Sequence, residues 1–210
     1  MTSNKKYSSK NIYKGKVRII SGKWRNRTLK VENYEGLRPT SERIRETLFN
    51  WLRSEISGLN CLDLFAGTGS LGFEALSRGA DNCIFIDKTE AAIKQLKKAK
   101  ELFIAENCHI FKTNAFDFLS SNKKNSFDLI FLDPPFADNI IDETINLIIK
   151  YELVTPKGYI YIEINKNQKF PDLPKKWIIA RKKNIANVCF ALIKRGATRL
   201  VFLSSSLLVF

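Results

Sequence analysis

Asp133, Pro134, Pro135 and Phe136 stand directly behind the apolar run FDLIFL, and Asp63 sits inside a similar run, CLDLF, four residues ahead of Gly67. A carboxylate at the end of a buried strand is costly unless it meets a partner. Proline lacks a backbone N–H and has a fixed φ, so the chain past Asp133 is stiff, and the Asp133 carboxylate and Pro134 carbonyl become a fixed pair of acceptors. Such a pair suits an amino group. The exocyclic amine of a nucleobase is a poor nucleophile because its lone pair is delocalised into the ring. Two acceptors on its hydrogens favour pyramidalisation and turn that lone pair toward an incoming methyl group. Phe136 offers a stacking face for the base, a contact worth about 1–3 kcal/mol. Alignment of amine, methyl carbon and leaving sulfur supplies more, about 7–11 kcal/mol in well-positioned cases. No nucleophilic side chain is required, and Asp133 is placed to take the proton late in the step.

The donor side of such a reaction is carried by LDLFAGTGSLGFEAL, where Gly67, Gly69 and Gly72 satisfy the G-x-G-x-x-G pattern between a strand and a helix. Glycine there admits positive φ and lets a ligand lie on bare backbone at a helix start. Asp87 closes the following strand twenty residues after Gly67, the place where an acid holds ribose hydroxyls. A nucleoside ligand follows. NAD and S-adenosylmethionine both use this place, and Asp63 separates them: a strand-end carboxylate suits a cationic amino acid with a sulfonium and suits a pyrophosphate poorly. The literal glycine pattern alone also fits a nicotinamide enzyme, but no proton-transferring His, Tyr or Lys motif accompanies it.

The elements that must position these residues follow from periodicity. From Asn60 onward strand-like runs alternate with helical ones: CLDLF, SLGFEALSRG, CIFID, EAAIKQLKKAKELFIAE, HIFKTN, AFDFLSS, FDLIFLD, NIIDETINLIIKYEL and GYIYIEI. That alternation predicts βαβ units with helices on both faces of a mostly parallel sheet. In open sheets of this kind ligands bind beyond the carboxyl ends of the strands, at the switch point, and the strands bearing Asp63 and Asp133 should flank it. WIIARKKNIANVCFALIKR holds two strands with no helix between them, an antiparallel pair at the sheet edge. Upstream, KVRIISGKWRNRTLKVE predicts a hairpin whose turn carries Gly22 and Asn26 and whose tip is basic and aromatic. In LRPTSERIRETLFNWL, Pro39 blocks propagation, Thr40 or Ser41 caps, and Ile44, Leu48, Trp51 and Leu52 share one helical face. Asp138 is placed to cap the helix that begins near Asn139.

The charge of +14 over 210 residues directs the chain toward polyanions. Residues 1–30 hold ten Lys or Arg and no acid, a distribution that suits a nucleic-acid arm better than a presequence lacking an apolar face. Cys61, Cys83, Cys108 and Cys189 stand singly in apolar runs, which argues against zinc and disulfides and for small core residues in a reducing cytosol. His109 is the single histidine, so no triad or metal cluster is expected around it. The apolar tail from Leu200 is about half the roughly 20 residues a membrane span needs.

In DLFAGTGSLGFEALSRGA, FDLIFLDPPF and GLRPTSERIRETLFNWL taken together, the chain resembles the bacterial 16S ribosomal RNA (guanine-N2)-methyltransferase family, from about Arg18 to Arg195. The Asp-Pro-Pro-Phe turn is shared with other amino methyltransferases, whereas the Arg-Pro-Thr segment is much more particular. The resemblance implies a Rossmann-like S-adenosylmethionine-dependent methyltransferase fold, α/β, with a mostly parallel seven-stranded sheet, its last strand antiparallel, plus the N-terminal hairpin and helix. It implies S-adenosyl-L-methionine as donor and the N2 amine of a guanine in the small-subunit RNA as acceptor. The catalytic turn is then Asp133, Pro134, Pro135 and Phe136. The cofactor set is Asp63, Phe65, Gly67, Thr68, Gly69 and Asp87, with Asn114 and Ala115 of KTNAFDFL against the adenine. Arg18, Lys23, Arg25, Arg27, Arg38 and Arg43 would grip RNA phosphates.

The expected division is a basic arm over 1–16, an RNA-binding extension over 17–58, the catalytic domain over 59–196 and a tail over 197–210 that matches nothing in the family pattern. The expected partner is ribosomal RNA in the small ribosomal subunit, with no membrane and no metal, for a cytoplasmic monomer. Two other readings fit the residues: amino methylation of another RNA or DNA base, and a non-catalytic RNA-binding assembly protein built on the basic arm.

Overall fold

Strand runs such as Leu129–Leu132 are apolar at every position because both faces of the sheet are covered. Period-two alternation sends Leu129 and Phe131 to one apolar cluster and Ile130 and Leu132 to another. The computed structural model describes residues 12–35, 40–134 and 140–196, with side chains over 15–31, 40–134 and 140–196. Pro135, Phe136, Arg38, Pro39, Asp138 and the tail 197–210 lie outside the described residues.

Nine strands and five helices alternate through these residues. The strands are β1 (Ile12–Arg18), β2 (Thr28–Glu35), β3 (Asn60–Asp63), β4 (Asn82–Asp87), β5 (Cys108–Lys112), β6 (Phe127–Leu132), β7 (Val154–Asn165), β8 (Trp177–Ile185) and β9 (Val188–Arg195). The helices are α1 (Glu42–Trp51), α2 (Ser70–Ser77), α3 (Glu90–Phe103), α4 (Ala115–Ser120) and α5 (Ile140–Lys150). Seven strands form one sheet in the order β5-β4-β3-β6-β7-β9-β8, in which β3 pairs in parallel with both β4 and β6. The expected switch point is therefore between β3 and β6. β9 runs antiparallel between β7 and β8, because only Ala186 and Asn187 separate Ile185 from its partner Val188, too short a link for a crossover. Ala186 adopts φ 52° to close that hairpin. α1, α2 and α3 pack on one face of the sheet, and α4 and α5 on the other. All four cysteines are buried and unpaired, as small core residues.

The N-terminal hairpin is bolted to α2. Gly22 at φ 82° comes so close to the end of α2 that a Cβ there would lie 1.8 Å from the Ser77 carbonyl oxygen. The next two amides donate to Ser77, Lys23 to its carbonyl at 2.8 Å and Trp24 to its Oγ at 3.0 Å. Glu74 accepts from the Ile20 and Ser21 amides at 2.8 and 3.1 Å.

Three details differ from the sequence-based expectation. β1 starts at Ile12, inside the segment assigned to the basic arm rather than to the hairpin, because Ile12 and Tyr13 pair with Glu35 and Tyr34. Trp24 is not part of a solvent-facing tip: it is buried and stacks on Phe103 at 4.9 Å, since an indole beside the α2–α3 surface gains more from burial than from water. The buried face of α1 includes Arg45 and Phe49 with Ile44 and Leu48, while Trp51 is half-buried and stacks on Phe190 at 5.2 Å.

Candidate active site

The carboxyl ends of β3 and β6 open into a cleft of about 390 Å³, within the size range of small-molecule sites. Asp63, Phe65, Gly67, Thr68, Asp87, Asn114, Ala115, Asp133 and Pro134 all line it. The strand ends and the loops that follow them thus bring together residues that lie up to 71 positions apart, as far as Asp63 is from Pro134. Gly69 is not part of the wall. It caps α2 in the left-handed region at φ 77°, where a Cβ would press on Leu96 and Phe73 at 2.6 and 2.7 Å. Gly67, at φ 50°, donates its amide to Asp87 Oδ2 at 3.0 Å.

Asp87 is held in place by Thr89, whose amide and hydroxyl donate to Oδ1 at 2.8 and 2.7 Å. A carboxylate has about four acceptor sites, so capacity remains for the hydroxyl donors of a ligand. Asn114 lines the cleft while its side-chain oxygen caps α4 by accepting from the Phe116 amide at 2.9 Å. Capping fixes the start of α4, and with it the Asn114–Ala115 edge, against the cleft.

Asp63 is buried, and its Oδ2 accepts from the Gly72 amide at 3.0 Å, so it ties the first turn of α2 to the sheet. Burial pushes its carboxyl up to about 7; the Gly72 hydrogen bond opposes this, and the negative charges of Asp133 and Asp87 add to it. Its ordinary value is near 3.8, so between about pH 4 and about pH 7 the folded chain holds a proton the unfolded chain has lost, and stability falls as pH rises across that window. Asp63→Asn removes the titration and leaves an oxygen for the Gly72 amide. In cofactor-free protein, denaturant midpoints of wild type should fall relative to Asp63→Asn as pH rises from about 4 to about 7. Parallel profiles would show that Asp63 ionises without cost.

Asp133 lines the cleft just past the end of β6. Thr40, just before α1, donates its hydroxyl to Asp133 Oδ2 at 2.7 Å, while the neighbouring Ser41 takes the cap of α1 by accepting from the Ile44 amide at 3.3 Å. Thr40 is thereby left to hold the aspartate. Asp133 keeps part of its surface open to the cleft, yet enclosure by protein pushes its carboxyl up to about 6, opposed by the Thr40 hydrogen bond. An anion with a raised affinity for protons suits late proton uptake.

Periodicity did not single out Glu163, or the β8–β9 turn at Ile185 and Ala186, yet both line the cleft. The signal for Glu163 was a carboxylate in phase with Tyr159 and Tyr161 inside an otherwise apolar strand. Arg18, Lys23, Arg25, Arg27 and Arg43 are exposed. Arg18 pairs with Glu42, Lys23 lies over Trp24, and Arg27 covers the Phe103 ring and donates to the Leu102 carbonyl. No helix among the described residues is long and apolar enough to cross a membrane.

Known proteins share this arrangement. A family model described as Conserved hypothetical protein 95 matches residues 17–194. Ribosomal RNA small subunit methyltransferase D of Escherichia coli K12 is 40% identical over 183 residues, covering 87% of this chain and 92% of that protein. The protein of the same name from Haemophilus influenzae is 41% identical over 182 residues, covering 85% and 94%. The solved structure of the Escherichia coli protein yhhF superposes with a TM-score of 0.81 at 38% identity, over 88% of this chain and all of that one. Identity this high, spanning the hairpin extension and both sides of the cleft, places the chain in the ribosomal RNA small subunit methyltransferase D family.

Proposed function

We propose that the protein is an S-adenosylmethionine-dependent methyltransferase acting on the exocyclic N2 amine of a guanine in small-subunit ribosomal RNA. The observation that carries the reading is the placement of Asp133 and Pro134 on the same cleft as the Gly67–Asp87 turn, in a chain of the small subunit methyltransferase D family. The residues present suit that cofactor. Asp87 and Thr89 offer a ribose-holding edge, and Asp63 is a buried carboxyl whose ionisation a cationic ligand would favour. When bound, S-adenosylmethionine supplies an electrophilic methyl carbon on a sulfonium.

The chain's own residues prepare the acceptor. The Asp133 carboxylate and the Pro134 carbonyl accept the two amine hydrogens and direct the nitrogen lone pair toward the donor pocket. Thr40 holds the carboxylate in that orientation through its hydroxyl. As the N–C bond forms the amine becomes acidic, and Asp133 takes one of its protons. The target base must leave its stack to reach this depth, and the exposed cations Lys23, Arg25 and Arg43 suit the surrounding phosphates.

Purified protein, methyl-labelled donor and small subunits from cells lacking this activity provide the test, with the modified nucleotide mapped by mass spectrometry. Label is expected on the N2 atom of one guanine. Label on another base would revise the acceptor, and none on naked RNA, assembly intermediates or complete subunits would overturn the reading in favour of a non-catalytic assembly role.

A further inference from the structure

A second buried carboxyl lies beside Asp133. Along β7, Glu163 is in phase with Tyr161, and the register that pairs Leu132 with Ile162 sets Glu163 next to Asp133 on the adjacent strand end. Glu163 is buried in the cleft wall. Tyr161 donates its hydroxyl to Glu163 Oε1 at 2.7 Å, and Thr40, which lies near Glu163, donates its own to Asp133 Oδ2 at 2.7 Å. The groups facing Glu163 are Asp133 from β6, Arg45 and Thr40 from α1 and its lead-in, and Tyr161 from its own strand; Asp63 on β3 faces Asp133 in turn.

Thr40 has a single hydroxyl proton, and Asp133 Oδ2 receives it at 2.7 Å. That proton is therefore committed to Asp133 and does not serve the neighbouring Glu163 carboxyl. Neighbouring carboxyls enclosed by protein cannot both ionise cheaply, so the pair divides one proton unequally. Resting on the methyltransferase reading, we propose that Glu163 is the positioning residue for Asp133: as a neutral acid beside it, Glu163 leaves the Thr40 proton to Asp133 and so keeps Asp133 an oriented carboxylate. Burial and the nearby Asp133 charge both raise the Glu163 carboxyl well above its usual range, while Tyr161, Thr40 and Arg45 moderate the rise. Asp133, with an edge open to the cleft, stays lower at about 6. Surroundings that drive a pair of carboxyls to different proton affinities assign them different roles.

The test has two arms. In the first, kcat/KM for methyl transfer is followed against pH for wild type, Glu163→Gln and Glu163→Ala, with cofactor affinity by calorimetry. Wild type should lose activity on the alkaline side, where Glu163 ionises and a single hydroxyl proton faces two anions. Glu163→Gln, which cannot ionise, should lack that alkaline limb. Glu163→Ala should lower kcat on the order of 10²-fold with cofactor Kd unmoved, as expected for a misplaced reacting group, and Gln should recover some of that loss. The same alkaline limb in Glu163→Gln, or full turnover in Glu163→Ala, overturns the proposal.

The second arm needs neither activity nor a stable variant. Carboxyl-carbon NMR of the wild-type protein, assigned for Glu163 and Asp133, should show Glu163 protonated near neutral pH while Asp133 is ionised. An ionised Glu163 there overturns the proposal. Wild type that transfers no methyl group rejects the methyltransferase reading instead, and leaves this titration as the judge of the carboxyl pair.

Discussion

Asp133→Ala is expected to lower turnover on the order of 10²- to 10³-fold, the usual effect of removing one preorganised polar group from the reacting centre, while leaving cofactor affinity close to wild type. The separation follows from geometry. The groups suited to the cofactor, Asp87 with Gly67 and Thr89, are tied to one another rather than to Asp133. Asp133 is tied to Thr40 instead. Asp133→Asn should be nearly as inactive, because its amide presents donors to an amine that is itself a donor. In wild type, kcat/KM should fall on the acid side near pH 6, since Asp133 gains a proton there and loses an acceptor. Methyl transfer under single-turnover conditions and calorimetry of cofactor binding check the two halves separately. An equal loss of cofactor binding in Asp133→Ala would reject the assigned role.

Glu74→Ala carries the largest expected cost in stability, about 3–5 kcal/mol, because it breaks a buried ion network by removing its anion. Glu74 has no exposed side-chain surface and meets Arg45 at 3.4 Å and Arg78 at 2.6 Å. It also accepts from the Ile20 and Ser21 amides. Without it Arg45, itself buried and lowered in pKa chiefly by that burial, keeps the Arg18 carbonyl at 3.0 Å as its oxygen partner. The hairpin would also lose two of its attachments to α2. Denaturant unfolding followed by far-UV circular dichroism should show a lower midpoint. Limited proteolysis should cut first near β1 and β2 if the hairpin is released. A stability within about 1 kcal/mol of wild type would mean that water replaces Glu74 at little cost.

Much of the site was legible because its signals are local. Asp63, Gly67, Asp87 and Asp133 each stand where a strand gives way to a turn, and the apolar runs before them identify those ends without tertiary information. The same local reading misplaced Trp24. A basic turn around one aromatic looks like a solvent-facing tip until the end of α2 is known to lie against it. Thr40 was legible only as one of two alternative caps. Once Ser41 takes the cap, the Thr40 hydroxyl is available to an aspartate 93 residues further along.

By itself the sequence determined the alternation of strands and helices, the doubly wound sheet with its switch between β3 and β6, and the placing of Asp63, Asp87 and Asp133 at strand ends, because apolar runs and turn residues act over a few neighbours. Tertiary structure alone decided that Glu163 and Thr40 stand beside Asp133 and that Glu74 locks the hairpin to the catalytic fold. Those contacts depend on strand register and helix packing, which bring distant residues within hydrogen-bonding range and leave no mark on the chain between them.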